Sequence, residues 1–428
     1  MLGVGPRGPL GRDVPDGAGG PARLSERDAW VVVAGVTGVG PVSFGRLLTA
    51  FGSAVGIAGA AAGAGAVAVL VEATAGPDGA APSLTVGAAA ELVALVGNPG
   101  PQLRRVERSG LRVVTLADAD YPSRLRRVEL PPPILFVRGD PAALEAAHPV
   151  AVVGTRRPTG LGRATAARIG EALAASGAVV VSGLALGVDG AAHGASVRAG
   201  GQTVAVMGGG HDHLYPAAHR GLAASIVETG GAVVSEFAPD TTPTRGTFPR
   251  RNRIISGLAD ATVVVEAGIR SGALTTAAWA LEQGRALFIV PGRMDDPAVA
   301  GSLAFLREGG PQARIVVGVA ELLEDLEIGR APHVSDARRW QDEGERDGVL
   351  GPAGRAVKAA LLGGASSVDE LVARTGLRGA AVLGVLTGLE DQGLVVEAFG
   401  RYHPSGAWAT DGRRKALPPH RPTGSAAA

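Results

Sequence analysis

The sequence predicts an α/β protein whose main domain is a doubly wound, mostly parallel sheet. Three observations predict it. Eight short apolar runs, "ILFVRG", "VAVVGT", "AVVVSG", "TVAVMG", "AVVSEF", "ATVVVEA", "ALFIVPG" and "RIVVG", recur between residues 128 and 328. They are apolar throughout, as strands covered on both faces are, and helix-like segments separate most of them, as parallel crossovers require. Glycines and polar residues collect where the runs end, in "GTRRPTG", "SGLALGVD", "GGGHDHLYP", "EFAPD", "EAGIRSGALTTA" and "PGRMDD". Ligands of such sheets bind outside the carboxyl ends of the strands, so these segments form the candidate site.

Composition narrows the chemistry. At 428 residues the chain is long enough for two or three domains. The absence of cysteine excludes disulfides and cysteine nucleophiles and fits a reducing cytoplasm, the expected location. A formal charge of +1 leaves no global nucleic-acid footprint, so anion binding has to be local. Among 41 basic residues only Lys358 and Lys415 are lysines; arginine does nearly all the cationic work and suits bidentate phosphate contacts. Neither lysine stands in GxxxxGK[ST], which excludes a P-loop, and GxSxG and HExxH are absent.

Along the chain, residues 1–23 are rich in Gly and Pro and read as a disordered tail. Residues 24–127 read as a helical N-terminal domain. "LSERDAWVVVAGVTGVGPVSFGRLLTAF" suggests helix, Gly-rich turn, helix: either a helix-hairpin-helix, whose turn amides can face phosphates, or a plain αα-hairpin. Residues 51–71 carry no charge and are long enough to require a membrane test. Their Ala and Gly content inserts weakly and no Lys/Arg cluster flanks them closely, so soluble helices and no membrane insertion are expected. The sheet domain spans 128–328. A polar stretch at 329–350 reads as a linker, residues 351–403 have the helix, helix, helix, hairpin proportions of a winged helix, and 404–428 read as a second disordered tail.

The strand ends suggest an anion site. In "GTRRPTG", Gly154 permits a tight turn, Arg156 and Arg157 follow, and a helix opens near Leu161. A nicotinamide fold is not indicated, because the spacing is not GxGxxG and the next strand ends in "SGLA" rather than an acid. Asp189, His193, His211, Asp212 and His213 are conceivable metal ligands, but they form no ligand motif, and Asp189 is better read as a helix cap. No metal or cofactor is expected. In "EAGIRSGALTTA", small residues and Thr275 and Thr276 at a helix start again offer free amides. Several anion-friendly loops on one sheet edge fit a single nucleotide or several successive ones.

The ordered motifs "YPSRL", "PPPILFVRGD", "VAVVGTR", "VVSGLALGVDGAAH", "TVAVMGGGHDHLYP", "FPRRNRIISGLAD", "VVVEAGIRSGALTTAAWALEQGR" and "FIVPG" resemble the DNA-processing protein A family (DprA, also called Smf). The resemblance is strong over roughly 115–300. It implies an extended Rossmann-type domain, a SAM-like helical N-terminus and a C-terminal winged-helix-like domain. It further implies a non-catalytic protein that binds and protects incoming single-stranded DNA, loads the RecA recombinase in natural transformation and recombination, and forms a homodimer, here through helix surface around residues 277–281. Carried over by motif, the DNA-binding residues are Gly154, Thr155 and Arg156; Ser182 and Gly183; Gly209; Arg250, Asn252 and Arg253; and Ser271 and Gly272. The chain departs from the family where it has Leu186 for an arginine and Leu303 for an asparagine, and it lacks the lysines that members carry near the pocket.

A second reading comes from another class. The fold also resembles that of the phosphoribohydrolases, nucleotide-binding enzymes that would use Glu266 and Glu282 as acids, although their "PGGxGTxxE" turn is absent. "FPRRNRIISG" places three arginines where a loop meets the ligand edge. Arg250 and Arg253 are expected to face the pocket and Arg251 to point away. The plainest alternative makes these arginines a solvated helix start paired with Glu266 or Asp260.

Overall fold

The computed structural model describes residues 24–76, 80–309, 312–328, 352–391, 394–398 and 401–404. The tail expected over 1–23, the linker expected over 329–350, and everything after Pro404 lie outside them. The chain divides into two compact units, Met1–Gly329 and Arg330–Ala428.

The first unit opens with six helices: α1 (Glu26–Ala34), α2 (Pro41–Phe51), α3 (Ala54–Ala61), α4 (Ala66–Glu72), α5 (Val86–Gly97) and α6 (Gly100–Arg108). Side-chain caps start several of them, Ser25, Ser53 and Thr85 each accepting a backbone N–H of the first turn. Trp30 and Phe44 stack with ring centroids 4.7 Å apart, in a core with Leu47, Ile57, Leu70 and Leu92. The uncharged stretch at 51–71 thus breaks into short helices that bury part of their surface in this core. No single helix among the described residues is long and apolar enough to cross a membrane.

Nine strands follow: β1 (Arg112–Thr115), β2 (Ile134–Gly139), β3 (Pro149–Val153), β4 (Val179–Ser182), β5 (Thr203–Val206), β6 (Ala232–Ser235), β7 (Ala261–Val264), β8 (Ala286–Ile289) and β9 (Ala313–Ile315). They form one sheet in the order β1-β2-β6-β5-β4-β3-β7-β8-β9. β2 pairs antiparallel with both β1 and β6, and every other pairing is parallel. The eight apolar runs are β2 to β9. β1, "RVVT", falls within the stretch expected to be helical and belongs to the sheet instead; it pairs with β2, whose Ile134 and Phe136 reach into the helical core.

Helices cover both sheet faces. α8 (Gly160–Ala175) and α9 (Val188–Arg198) pack Ile169, Leu173, Val188 and Ala192 against Val150, Val152, Val180 and Val263. α11 (Thr247–Gly257) and α12 (Gly272–Glu282) pack Ile254, Ile255, Ala273 and Ala277 against the opposite face with Val153, Val181 and Val264. Among the described residues the remaining α-helices of the unit are α7 (Ser123–Arg126), α10 (Arg220–Glu228), α13 (Ala300–Gly309) and α14 (Val319–Asp325). Because β3 leaves into α8 on one face and β7 into α12 on the other, the switch point lies between these neighbouring strands.

The second unit contains α15 (Pro352–Leu362), α16 (Val368–Thr375) and α17 (Gly379–Asp391), then an antiparallel pair, β10 (Val395–Ala398) with β11 (Arg401–Pro404). Ser367 and Glu370 form a reciprocal capping box on α16, and Val357, Leu371, Val382, Leu386 and Val395 form the core.

Two buried histidines tie acid stability to this fold. Thr203 donates its hydroxyl to Val180 O (2.6 Å), so the His193 Nδ1–H donates to Thr203 Oγ1 (2.6 Å). His211 Nε2–H donates to Phe136 O (2.9 Å). Burial pushes His193 down to about 3 and His211 to about 4, from an ordinary 6.5. Both are therefore neutral when folded, and their stabilisation is present above pH 6.5 and lost as pH falls below it, because the unfolded chain binds the protons. Between about pH 6 and 5 this pair contributes a slope of about 2 kcal/mol per pH unit. His211→Gln keeps a donor for Phe136 O and halves that contribution. Urea unfolding across pH measures it, and an unchanged slope would exclude His211 from the acid response.

Candidate nucleic-acid interface

A cleft of about 920 Å³ opens at the switch point. Its walls are the loop after β3, with Gly154, Thr155, Arg156 and Arg157; the loop after β7 running into α12, with Gly268 to Thr276; and the segment entering α11, from Pro243 to Asn252. Five arginines line it, Arg156, Arg157, Arg245, Arg251 and Arg270, against a single carboxylate, Asp189. Among the described residues, Arg156, Arg157, Arg245 and Arg270 are exposed and form no ion pair.

The Arg156 guanidinium lies 5.1 Å from the centroid of the Phe248 ring, and the Tyr215 ring approaches the same ring at 5.8 Å. The cleft thus combines free guanidinium groups with an aromatic surface. Phe248 and Tyr215 were not among the residues expected from sequence, although "LYP" and "FPRR" showed each aromatic beside a proline at the ligand edge.

The orientation of "FPRRNRIISG" reverses the expectation. Arg251, expected to point away, is buried and lines the cleft; Arg253, expected to face it, is buried elsewhere, its Nη2 2.6 Å from Glu236 Oε2 and its Nη1 3.3 Å from Oε1. Arg250 is exposed outside the cleft lining, with its guanidinium 5.4 Å from the Phe237 ring. These arginines lie on α11, where successive side chains are about 100° apart, so neighbours cannot share one face. The ion-pair partner is Glu236, at the end of β6, rather than Glu266 or Asp260. Asp260 binds Arg124 instead, at 2.7 Å.

Arg251 is built in. Its Nη1 donates to Gly183 O (2.6 Å) and to Val206 O, and its Nε to Asn252 Oδ1 (3.2 Å). Asn252 in turn donates to Gly272 O (3.1 Å). Three motifs that looked like separate DNA contacts, "SGLA", "PRRNR" and "RSG", are therefore hydrogen-bonded to one another. Gly183 has no room for a side chain, because a Cβ there would meet the Arg251 guanidinium. Burial pushes Arg251 down to about 10, offset by the nearby Asp189 carboxylate.

Asp189 is not the cap of α9; it lies in the first turn and Gly187 is the N-cap. Its Oδ2 accepts from the amides of Gly183 (3.0 Å) and Ala185 (3.4 Å) in the loop after β4. Burial raises its carboxyl, opposed by Arg251 and those amides. The carboxylate thus occupies the amides that this loop would otherwise offer to a phosphate.

Of the residues expected at the site, Gly154, Thr155, Arg156, Asn252, Ser271 and Gly272 come together in the cleft lining. Ser182, Gly183, Gly209, Arg250 and Arg253 do not. Ser182 is buried and donates to Val152 O (2.6 Å), and Gly209 O accepts from Ser235 (2.9 Å). Leu186 is exposed beside the cleft residue Ala185. Leu303 is half-buried on α13, whose preceding Ser302 bonds Ala267 through both its amide and its hydroxyl.

Neither acid named for hydrolysis lines the cleft. Glu266 is buried, accepting from the Thr159 amide (2.9 Å) and hydroxyl (2.5 Å) at the start of α8, and Glu282 is exposed at the last position of α12. Among the described residues no group of three His, Asp or Glu is placed to hold a metal.

Residues 112–327 match the model of a family described as DNA recombination-mediator protein A. The DNA processing protein DprA of Bacillus subtilis is 37% identical over 230 residues, covering 53% of this chain and 76% of that protein. A putative DNA processing protein DprA of Mycobacterium tuberculosis is 39% identical over 315 residues, covering 70% of this chain and 78% of its own. The X-ray structure of DNA processing protein A from Streptococcus pneumoniae aligns with a TM-score of 0.57 at 27% identity, covering 71% of this chain and 98% of that one.

Proposed function

This chain belongs to the DNA recombination-mediator protein A family, and from that premise we propose that its cleft binds the backbone of single-stranded DNA. The observation that carries the reading is the imbalance of charge: among the described residues five arginines line the cleft, four of them free of ion pairs, against one carboxylate already bonded to backbone amides. Guanidinium forks and the amides at the start of α12 hold successive phosphates, and the Phe248 surface serves an unpaired base.

On this reading the protein is a non-enzymatic, cytoplasmic recombination mediator. It protects incoming single strands and delivers them to the RecA recombinase as a homodimer; Ala277 and Ala280 are buried in the core, so within 277–281 the half-buried Ala278, Trp279 and Leu281 are left to form that contact. The second unit acts as a winged-helix-like domain. A phosphoribohydrolase is disfavoured by Glu266, whose carboxylate is committed to Thr159.

Titration of oligo-dT and of a matched duplex across salt concentrations tests the assignment. Binding of oligo-dT is expected to fall steeply with salt and to exceed duplex binding. Salt-independent binding of oligo-dT would overturn it.

A further inference from the structure

The edge of the sheet that carries the cleft is unusual in a second way. Among the described residues of 128–328, seven large apolar side chains are exposed: Ile315 and Val317 at the end of the edge strand β9, and Leu161, Leu186, Tyr215, Ile269 and Met294 on loops or first helical turns beyond the carboxyl ends of the other strands. Solvent exposure there is high: 73% for Ile269 and 94% for Met294. An isolated exposed aliphatic residue means little. Five on one edge, interleaved with Arg156, Arg157, Arg245 and Arg270, form a pattern.

The loops that carry them adjoin one another. A Cβ at Gly187, where φ is +88°, would meet Thr155 O, so the loop holding Leu186 lies against the loop holding Arg156. Phe248 connects Arg156 to Tyr215 through the two ring contacts already described. Across the cleft, the space beside Gly268 is bounded by Pro297 O, so the loop holding Ile269 lies against the one holding Met294. Ile269 and Tyr215 both line the cleft.

Resting on the single-stranded DNA reading, we infer that Leu186, Tyr215, Ile269 and Met294 are the residues that distinguish an unpaired strand from a duplex, by giving its exposed bases an apolar surface beside the arginines. Charge complementarity places the phosphates on the guanidinium groups. The bases of that strand, turned outward and unpaired, are then the apolar occupant next to them. A duplex keeps its bases stacked inside, so it gains the phosphate contacts and none of the apolar ones. Single-strand preference on this surface needs no hydrogen bond to a base edge, and no sequence preference follows from it.

The double variant Ile269→Ser/Met294→Ser removes two of these side chains at exposed positions. Its affinity for oligo-dT is expected to fall about tenfold at fixed salt, with the slope of log K against log salt unchanged and duplex binding unaltered. An oligonucleotide of abasic residues supplies the complementary deletion. It should bind the unaltered protein about tenfold more weakly than oligo-dT does, and should cost the double variant little further, because the bases have lost their partners. Wild-type affinity of the double variant for oligo-dT, with Arg156→Ala still flattening the salt slope, would overturn this inference and leave the phosphate cleft standing. Loss of duplex and single-strand binding in equal proportion would also overturn it. Salt-independent binding by the unaltered protein would instead strike the underlying function.

Discussion

Replacing Arg253 with methionine is expected to destabilise the protein by about 3–5 kcal/mol while leaving the salt slope of DNA binding unchanged. The Arg253 and Glu236 side chains are only 5% and 4% exposed, and they meet through two contacts of 2.6 and 3.3 Å. Forming such a pair costs much of what its attraction returns, but deleting one partner strands the other charge in the core. Glu236 sits just beyond β6 and Arg253 in the middle of α11, so the pair pins that helix to the sheet. The double variant Arg253→Met/Glu236→Gln should recover part of the loss, since no buried charge is then left unpaired. Urea unfolding gives the stabilities and oligo-dT titration the slopes. A variant of normal stability whose slope drops by about 0.7, the value for one lost phosphate contact on a single strand, would return Arg253 to the DNA surface.

The contrast between Arg251 and Arg253 shows where reading the sequence stops. Apolar runs separated by crossovers are a one-dimensional signal, and β2 to β9 could be placed from it. So could the ligand edge, because Gly154, Ser271 and their neighbours must follow strands. The facing of each arginine is not one-dimensional. It depends on the rotation of α11, which is fixed by Ile254 and Ile255 entering the core and by Glu236 arriving from a strand 17 residues earlier. Likewise, "SGLALGVD" reads as an open phosphate loop until Asp189 folds back onto the amides of Gly183 and Ala185. β1 has no such signal. Val113 enters the N-terminal helical core while Val114 joins the sheet core, and no local pattern in "RVVT" announces its pairing with β2.

The largest effect on binding is expected from Arg156→Ala/Arg270→Ala. Both guanidinium groups are exposed at the cleft, on the loops after β3 and β7 that flank the switch point, and neither is held by a carboxylate among the described residues. Each phosphate neutralised on a single strand releases about 0.7 counterion, so the slope of log K against log salt should become shallower by about 1.4. At about 0.1 M salt the same release corresponds to about 0.7 decade per contact, and the double variant should bind oligo-dT about 25-fold more weakly. The wild-type and variant lines should then converge toward 1 M salt, where counterion release no longer favours binding. Convergence separates this pair from Ile269 and Met294, whose loss should displace the line in parallel. Arg156→Lys is the finer test. Lysine keeps the charge and should restore the slope, yet it has no planar group to lie over Phe248, so affinity should recover only in part. Full recovery would make Arg156 a point charge alone; recovery of neither slope nor affinity would place its contribution in the Phe248 contact.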